Sequence, residues 1–548
     1  MNNYITDGNT IIFEPKYNEP LNSELLSKFN FKKIIFSDWK LDTNLFKAYE
    51  NANFLKNIFI GSKFNHSLAN SLDNCSSLTE LTFGEQFNCP LSNSLSNLTS
   101  LTKLTFGMCF NQSLTNSLDN CIKLTHITFD WGSEYNLPLS NCFDNCSSLT
   151  NITFDFCFNC PLFNSFDKLI FLTNLTFGCN FNQPLCNSLN NCISLTHIVF
   201  GCDFNCPLAN SLDSCTALTI LVFGDDFSQP LDNALDNCIS LTHITFGKCF
   251  NCPLLNSLVV CTALTHIVLG EHFSCFLANS LDNCQSLTHL NFSDNYNQPI
   301  SYSLNKLVFL THIKFGLCYN KPLRNSLNKL VSLSHIVFGE YFSQPLDNSL
   351  DNCTSLANIV FGDRFNQPLD NSLDNCKALT ILVFGDRFNQ PLANSLDNCT
   401  ALTHIIFGKD FNCYLCDLHN CPSLTHIALG TNFNRKDDIP NNIKSISLNC
   451  NNVHCTDYLP DNIEEIELKP EFDLELNNLP SAIKKITFDI NSRYRKELNC
   501  LPSGLLVLQL PAEYKNKIHN IPSTLAKLIC SKNYAFIHNF SNAEIETY

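Results

Sequence analysis

The chain has 548 residues, with 34 Lys and Arg against 50 Asp and Glu, a formal net charge of −16. That balance excludes a generic phosphate-binding surface, because nucleic-acid readers need a basic stripe. At 44 % hydrophobic and only 15 % charged the sequence is globular, with a polar surface built from Asn, Ser and Thr.

The opening stretch, "MNNYITDGNTIIF", lacks the basic start and apolar run of a signal peptide. No segment offers the ~18 consecutive apolar residues of a membrane span. The 31 cysteines are therefore expected as free thiols in a reducing, cytoplasmic compartment, or in host cytoplasm if the source is viral. Residues 1–60 read as degenerate repeats or a cap, since "IIFEPKYNEPL" keeps the aromatic, Asn, Pro and Leu positions of the later repeats.

Residues 61–434 are a regular array. "FGDRFNQPLDNSLDNCKALTILV" begins at Phe361 and "FGDRFNQPLANSLDNCTALTHII" at Phe384, a step of 23 residues. Such a period marks a repeat architecture, in which a long chain needs no separate globular domains. In "LTHIVFG" the alternation over Ile-x-Phe is that of a short, half-buried strand. The Gly after it is read as permitting a turn that other residues resist. "FNQPLxNSLxNC" is then a return arc, irregular or with one helical turn at "NSLDNC". Asp130, Asp155 and Ser293 replace the Gly in three units, and one unit carries an insertion around Trp131 to Tyr135. Residues 435–531 continue with shorter units led by Pro440, Pro460, Pro480, Pro502 and Pro522, and residues 532–548 form a cap or tail.

Each unit position makes a column when units stack. Phe before and after the Gly, such as Phe361 and Phe365, form two internal columns. The column of Cys121, Cys192, Cys215 and Cys376 has Leu98, Leu169, Leu307 and Leu330 in other units. A metal ligand cannot be exchanged for Leu, so this column reads as small buried hydrophobes. A second position, with Cys252 and Cys275 in adjacent units, alternates with Gln and is read as partly exposed and oxidation-sensitive. The Asn columns, among them Asn182 and Asn205, are read as structural amide ladders at turns.

The pieces "LxxIxFGxxFNQPL" and "LPxxIxxIxF" resemble the FNIP repeat of social amoebae and of giant DNA viruses that infect amoebae. The 23-residue frame "NCxSLTxIxF" also resembles the BspA-type leucine-rich repeat. The resemblance covers about residues 11 to 530 and implies a mainly β repeat solenoid, a leucine-rich-repeat-like stack of short parallel strands. It implies a non-catalytic scaffold that binds a protein partner along the strand face and adjacent loops.

His243, His266, His289, His312 and His335 share one outward strand position in successive units and are the first candidates for partner contact. The pairs after the Gly vary from unit to unit, and Asp363, Arg364, Asp386 and Arg387 are the candidates there. No catalytic constellation, cofactor motif or metal-ligand spacing is found. No nucleic-acid or membrane partner is expected. Two other readings are a secreted or surface adhesin of BspA type and a metal-buffering protein using the Cys and His columns.

Overall fold

The computed structural model describes residues 4–7, 10–13, 33–36, 56–61, 64–65, 67–68, 72–73, 75–435, 439–450, 456 and 459–548. The chain forms two units, Met1–Leu287 and Thr288–Tyr548. Most of the arc "IIFEPKYNEPL" lies outside the described residues.

The first unit starts with an antiparallel pair, Tyr4–Asp7 against Thr10–Phe13, which sequence patterning does not reveal. From there each strand pairs in parallel with the next, position for position: Thr10 with Lys33, Glu80 with Lys103, His197 with Ile220, and so to His243 with His266. Strands are three or four residues long, and the central Ile or Leu is buried. The second unit repeats this from His289–Asn291 to Lys527–Cys530, and the terminal strand Glu544–Thr547 pairs in the same way but is exposed along its length. Its later strands, Ser445–Leu448, Glu465–Leu468 and Lys485–Phe488, keep the same in-register pairing on the shorter repeat. Each unit is thus a parallel-strand β-solenoid of leucine-rich-repeat type.

The arcs are chains of tight turns. In one coil the amides of Ser372, Cys376 and Leu379 donate to the carbonyls of Leu369, Leu373 and Cys376 at 2.9, 2.9 and 3.0 Å. The segment "NSLDNC" is therefore irregular, and a short 3₁₀ helix replaces it at Cys416–Asn420. One residue in the two after the arc Leu takes a left-handed φ, as at Asn210 (57°), Leu255 (40°) and Tyr302 (64°). No β-branched residue is found at these positions, where the strain would be greatest.

The core is made of columns. Phe361 and Phe365 stack at 4.0 Å within a coil, and Phe365 meets Phe388 of the next at 6.0 Å with rings 9° from parallel. Such pairs add about 0.5–1.5 kcal/mol each beyond area burial. The Asn column works as read: Asn205 Oδ1 accepts from the Ser228 amide at 2.9 Å and from Gln229 Nε2 at 3.1 Å, one coil on.

The repeated Gly has a different cause from the one its sequence context suggests. A Cβ at Gly201 would lie 1.7 Å from the Gly178 carbonyl oxygen, and one at Gly224 would lie 1.7 Å from that of Gly201. The only described glycine with a left-handed φ is Gly132, in the insertion. The constraint is thus close approach of backbones between coils, not turn conformation.

The same contacts set three expected stability changes, read from urea unfolding. Gly201→Ala should cost about 1–3 kcal/mol by forcing neighbouring coils apart. Leu255→Asn, at an exposed left-handed position, should stabilise by about 1 kcal/mol; an unchanged urea midpoint for either variant would contradict the geometry. Asn205→Ala removes the acceptor for two donors and should cost about 1–3 kcal/mol, whereas Asn210→Ala, whose side chain is in no such ladder, should act only through its backbone.

Candidate interaction face

The His position opens each strand, and the imidazoles stack where they are adjacent. In the first unit His243 and His266 lie 4.2 Å apart between ring centroids. In the second, His289–His312 and His312–His335 are both 4.2 Å, and His404–His426 is 4.0 Å. All are half-buried, so the outward position read from alternation is a lateral one, with ring faces covered by neighbours.

The preceding Thr fixes each ring, which the sequence reading missed. Thr242 Oγ1 donates to the Thr219 carbonyl at 2.9 Å and also lies 2.9 Å from His243 Nδ1. Thr265 and Thr311 repeat this with His266 and His312, and Ser334 does so with His335. A hydroxyl has one proton, and here the carbonyl takes it. Nδ1–H must then be the donor in the second bond, so each neutral ring is protonated on Nδ1 and carries its acceptor on Nε2. The signal was present in the sequence: a hydroxyl residue precedes each His of the column.

His404 lies at the end of the column that faces the shorter repeats. Burial, aided by His426, holds its pKa below the ordinary imidazole value. It borders a cavity of ≈ 250 Å³ with His426, Ser447, Glu467 and Lys469. Ser447 Oγ bonds Glu467 Oε2 at 2.9 Å, and Lys469 Nζ bonds Glu467 Oε1 at 2.8 Å. This polar group was not singled out from the sequence. Its trace there is the alternation of Ser447 and Glu467 at one strand position of successive short repeats.

The rim follows the strand end, so the structure does not converge it with the His column. Asp363, Arg364 and Arg387 are exposed and Asp386 half-buried. Arg364 sits 4.0 Å over the Tyr341 ring and 3.9 Å from Glu340. Asp386 pairs with Lys409 at 2.7 Å. Exposed pairs of this kind contribute only about 0–1 kcal/mol, which leaves them available for exchange with a partner's charges.

The Cys column is core. Burial first, then nearby charged groups, pushes the thiols of Cys121, Cys192 and Cys215 up to about 12. Such thiols stay protonated at neutral pH and are poor metal ligands. Among the described residues no cluster of three or more His, Cys, Asp or Glu is placed to hold a metal. Cys252 and Cys275 do not meet each other: each thiol donates to a carbonyl of the preceding coil at 3.3 Å, and burial raises both pKa values. Sulfurs do approach at Cys179 and Cys202, 3.3 Å apart on the rim. Cys450 is disulfide-bonded, an exception to the free thiols expected from composition.

The BspA type Leucine rich repeat region matches this chain in six copies, over residues 139–253, 208–308, 255–344 and 324–437, more than half its length. The chain belongs to the BspA-type leucine-rich-repeat family. Leucine-rich-repeat folds of this kind are typically non-catalytic interaction scaffolds. Among solved structures it is similar to CroV588, described as a novel circular LRR protein, at 27 % identity and TM-score 0.67, covering 97 % of this chain and 90 % of that one. It is also similar to the TLR13–ssRNA13 complex, at 12 % identity and TM-score 0.51, covering 100 % and 96 %; at that identity the likeness is one of fold. No curated protein matches. No helix among the described residues of this leucine-rich-repeat chain is long and apolar enough to cross a membrane.

The lowered pKa of His404 has a signed consequence. The folded state disfavours the protonated ring, so below about pH 6.5 the unfolded chain binds more protons. Stability is therefore full above the unfolded pKa and falls as pH drops towards the folded one. Thermal melts of the wild type should show this decline between neutral and mildly acidic pH. His404→Asn, a residue the column accepts at Asn358, should flatten it, and equal slopes for the two proteins would refute the assignment.

Proposed function

We propose that this BspA-type leucine-rich-repeat protein is a non-catalytic scaffold that holds a protein partner along its strand face and adjoining rim. The observation that carries the reading is the His–Thr arrangement: rings of uniform tautomer, stacked coil on coil, offer the same acceptor edge several times over. A partner that reads one coil can read the next, and affinity accumulates over the array. The net charge of −16 favours a protein over a nucleic acid as the partner class. Contact residues are His243, His266, His289, His312 and His335, with Asp363, Arg364, Asp386 and Arg387 on the rim. The FNQPL arcs keep the likeness to FNIP repeats, and with it an origin in amoebae or their giant viruses and a cytoplasmic setting.

The test is affinity capture by the full chain beside a variant with the five histidines changed to Ser, followed by hydrogen exchange on the recovered complex. Ser445, which pairs with His426 in the same column, shows that Ser suits this position, and circular dichroism checks folding. The expected result is retention by the wild type, a loss of about tenfold or more in affinity for the variant, and slowed exchange in strands such as His243–Thr245 and His312–Lys314. A partner held equally by both proteins would remove the His face from the proposal.

A further inference from the structure

A two-residue insertion lengthens one coil around Trp131 and lies on the rim of the first unit. Insertions in repeat arrays map to loops on one face, often the binding face. Trp131 is 83 % exposed, and the rim residues of the coils on either side are Met108 and Phe156, 37 % and 49 % exposed. A large, mostly exposed Trp between apolar neighbours is the residue type most enriched among binding hot spots.

Beside Trp131 runs a groove of ≈ 530 Å³, crossing the ends of successive strands within the first unit. Its floor is the edge of the Phe column and its wall carries Thr128, Thr153 and Thr176. Asp130, Asp155 and Asp225 line it, with no Lys or Arg among the lining residues. Lys248 reaches Asp225 from a flanking coil at 2.7 Å, but no such cation meets Asp130 or Asp155 among the described ion pairs. Both of these carboxylates are held by the insertion's own backbone. Asp130 Oδ1 accepts the Trp131 amide at 2.8 Å, and Asp155 accepts the Gly132 amide. A carboxylate offers about four acceptor sites, so fixing one oxygen aims the group without exhausting it.

Elsewhere the chain shows what such an aromatic takes. Arg364 covers the rim residue Tyr341 at 4.0 Å, and Arg435 covers Tyr414 at 4.8 Å. No cation of the chain covers Trp131 among the described residues, and the next coil has Phe156 and Cys157 at its two rim positions, neither of them basic.

We propose that this groove is the docking site for a basic, arginine- or lysine-bearing extended peptide segment of the partner, with Trp131 as its anchor and Asp130 and Asp155 as its charge partners. The inference rests on the scaffold reading and names the chemistry the partner must bring. A guanidinium over the indole gains cation–π attraction that strengthens as the site is desolvated, and the flanking carboxylates pair with it bidentately.

The experiment uses the full chain with Trp39→Phe, which leaves Trp131 as the sole tryptophan. Probes are a labelled peptide of alternating Arg and Ser, its Glu–Ser counterpart and a single-stranded oligouridine. The Arg peptide should bind saturably, shift the Trp131 emission and weaken with added salt. Trp131→Ala, read by the label, should weaken binding about tenfold; Trp131→Phe should retain part of it, which separates loss of the ring from misfolding. Asp130→Asn with Asp155→Asn should weaken it by a similar factor. Unchanged affinity in Trp131→Ala, or equal binding of the Glu peptide or the oligouridine, would overturn the proposal. If a captured partner depends on the five histidines while Trp131→Ala leaves peptide and partner affinity unchanged, the groove assignment fails and the scaffold stands. If peptide binding depends on Trp131 but the histidine variant keeps its partner, the groove stands and the strand-face assignment fails.

Discussion

The close contact of one coil's glycine with the carbonyl of the coil before it governs the rest of this molecule. Parallel strands ~4.8 Å apart bring equivalent atoms of successive coils side by side, and at Gly201 there is no space for even one added carbon. In-register stacking then turns every sequence position into a column, and each column must be compatible with itself. Phe satisfies that condition by offset stacking, and Asn satisfies it by accepting the next coil's amide. A column of one charge would repel itself at every step. Charges are accordingly few, and several are offset by an opposite charge in the next coil: Lys248 on Asp225, Arg364 on Glu340, Lys409 on Asp386, Lys484 on Glu464.

Histidine is the informative exception, because it is ionisable and yet recurs in adjacent coils. The Thr hydroxyl beside Nδ1 holds each ring in one orientation, so that successive rings stack. The hydroxyl itself belongs to the ladder, since its proton goes to the carbonyl of the previous coil. Backbone register, side-chain orientation and the chemistry of the face are therefore set by a single three-centre arrangement. At His404 the compromise is visible as a lowered proton affinity.

Much of this is legible in the sequence alone, for a physical reason: a self-compatible column writes the same residue into the sequence at each repeat. The Phe and Cys columns and the Asn182–Asn205 column are read from recurrence and stand as core and ladder, whereas the second Asn column, with Asn210, makes no such ladder among the described bonds. The Gly column is found but misattributed, because recurrence reports that a position is constrained and not whether conformation or close approach constrains it. The Thr–His relay is missed when each residue is weighed alone, because a hydroxyl's role depends on where its one proton goes. The antiparallel start at Tyr4–Asp7 leaves no trace, since a single pairing has no period to detect. Cys252 and Cys275 share a column but turn to carbonyls of the coil before, whereas Cys179 and Cys202, on the variable rim, come together.

That contrast bears on where recognition can arise in such a fold. Positions inside the period are bound by self-compatibility and cannot diverge without cost to both neighbours. The rim is released from it, because it lies beyond the strand and its side chains extend past the ladder. Unique features therefore accumulate there: the Arg364–Tyr341 pair, the Cys179–Cys202 contact and the Trp131 insertion. The insertion departs furthest, adding residues as well as changing them, and its backbone amides are tied to Asp130 and Asp155. A repeating face supplies contact area to any partner of matching chemistry, whereas a single break in the repeat supplies register. A scaffold that must hold its partner in one position needs both, and the first unit carries stacked histidines on its strands and the Trp131 insertion on its rim.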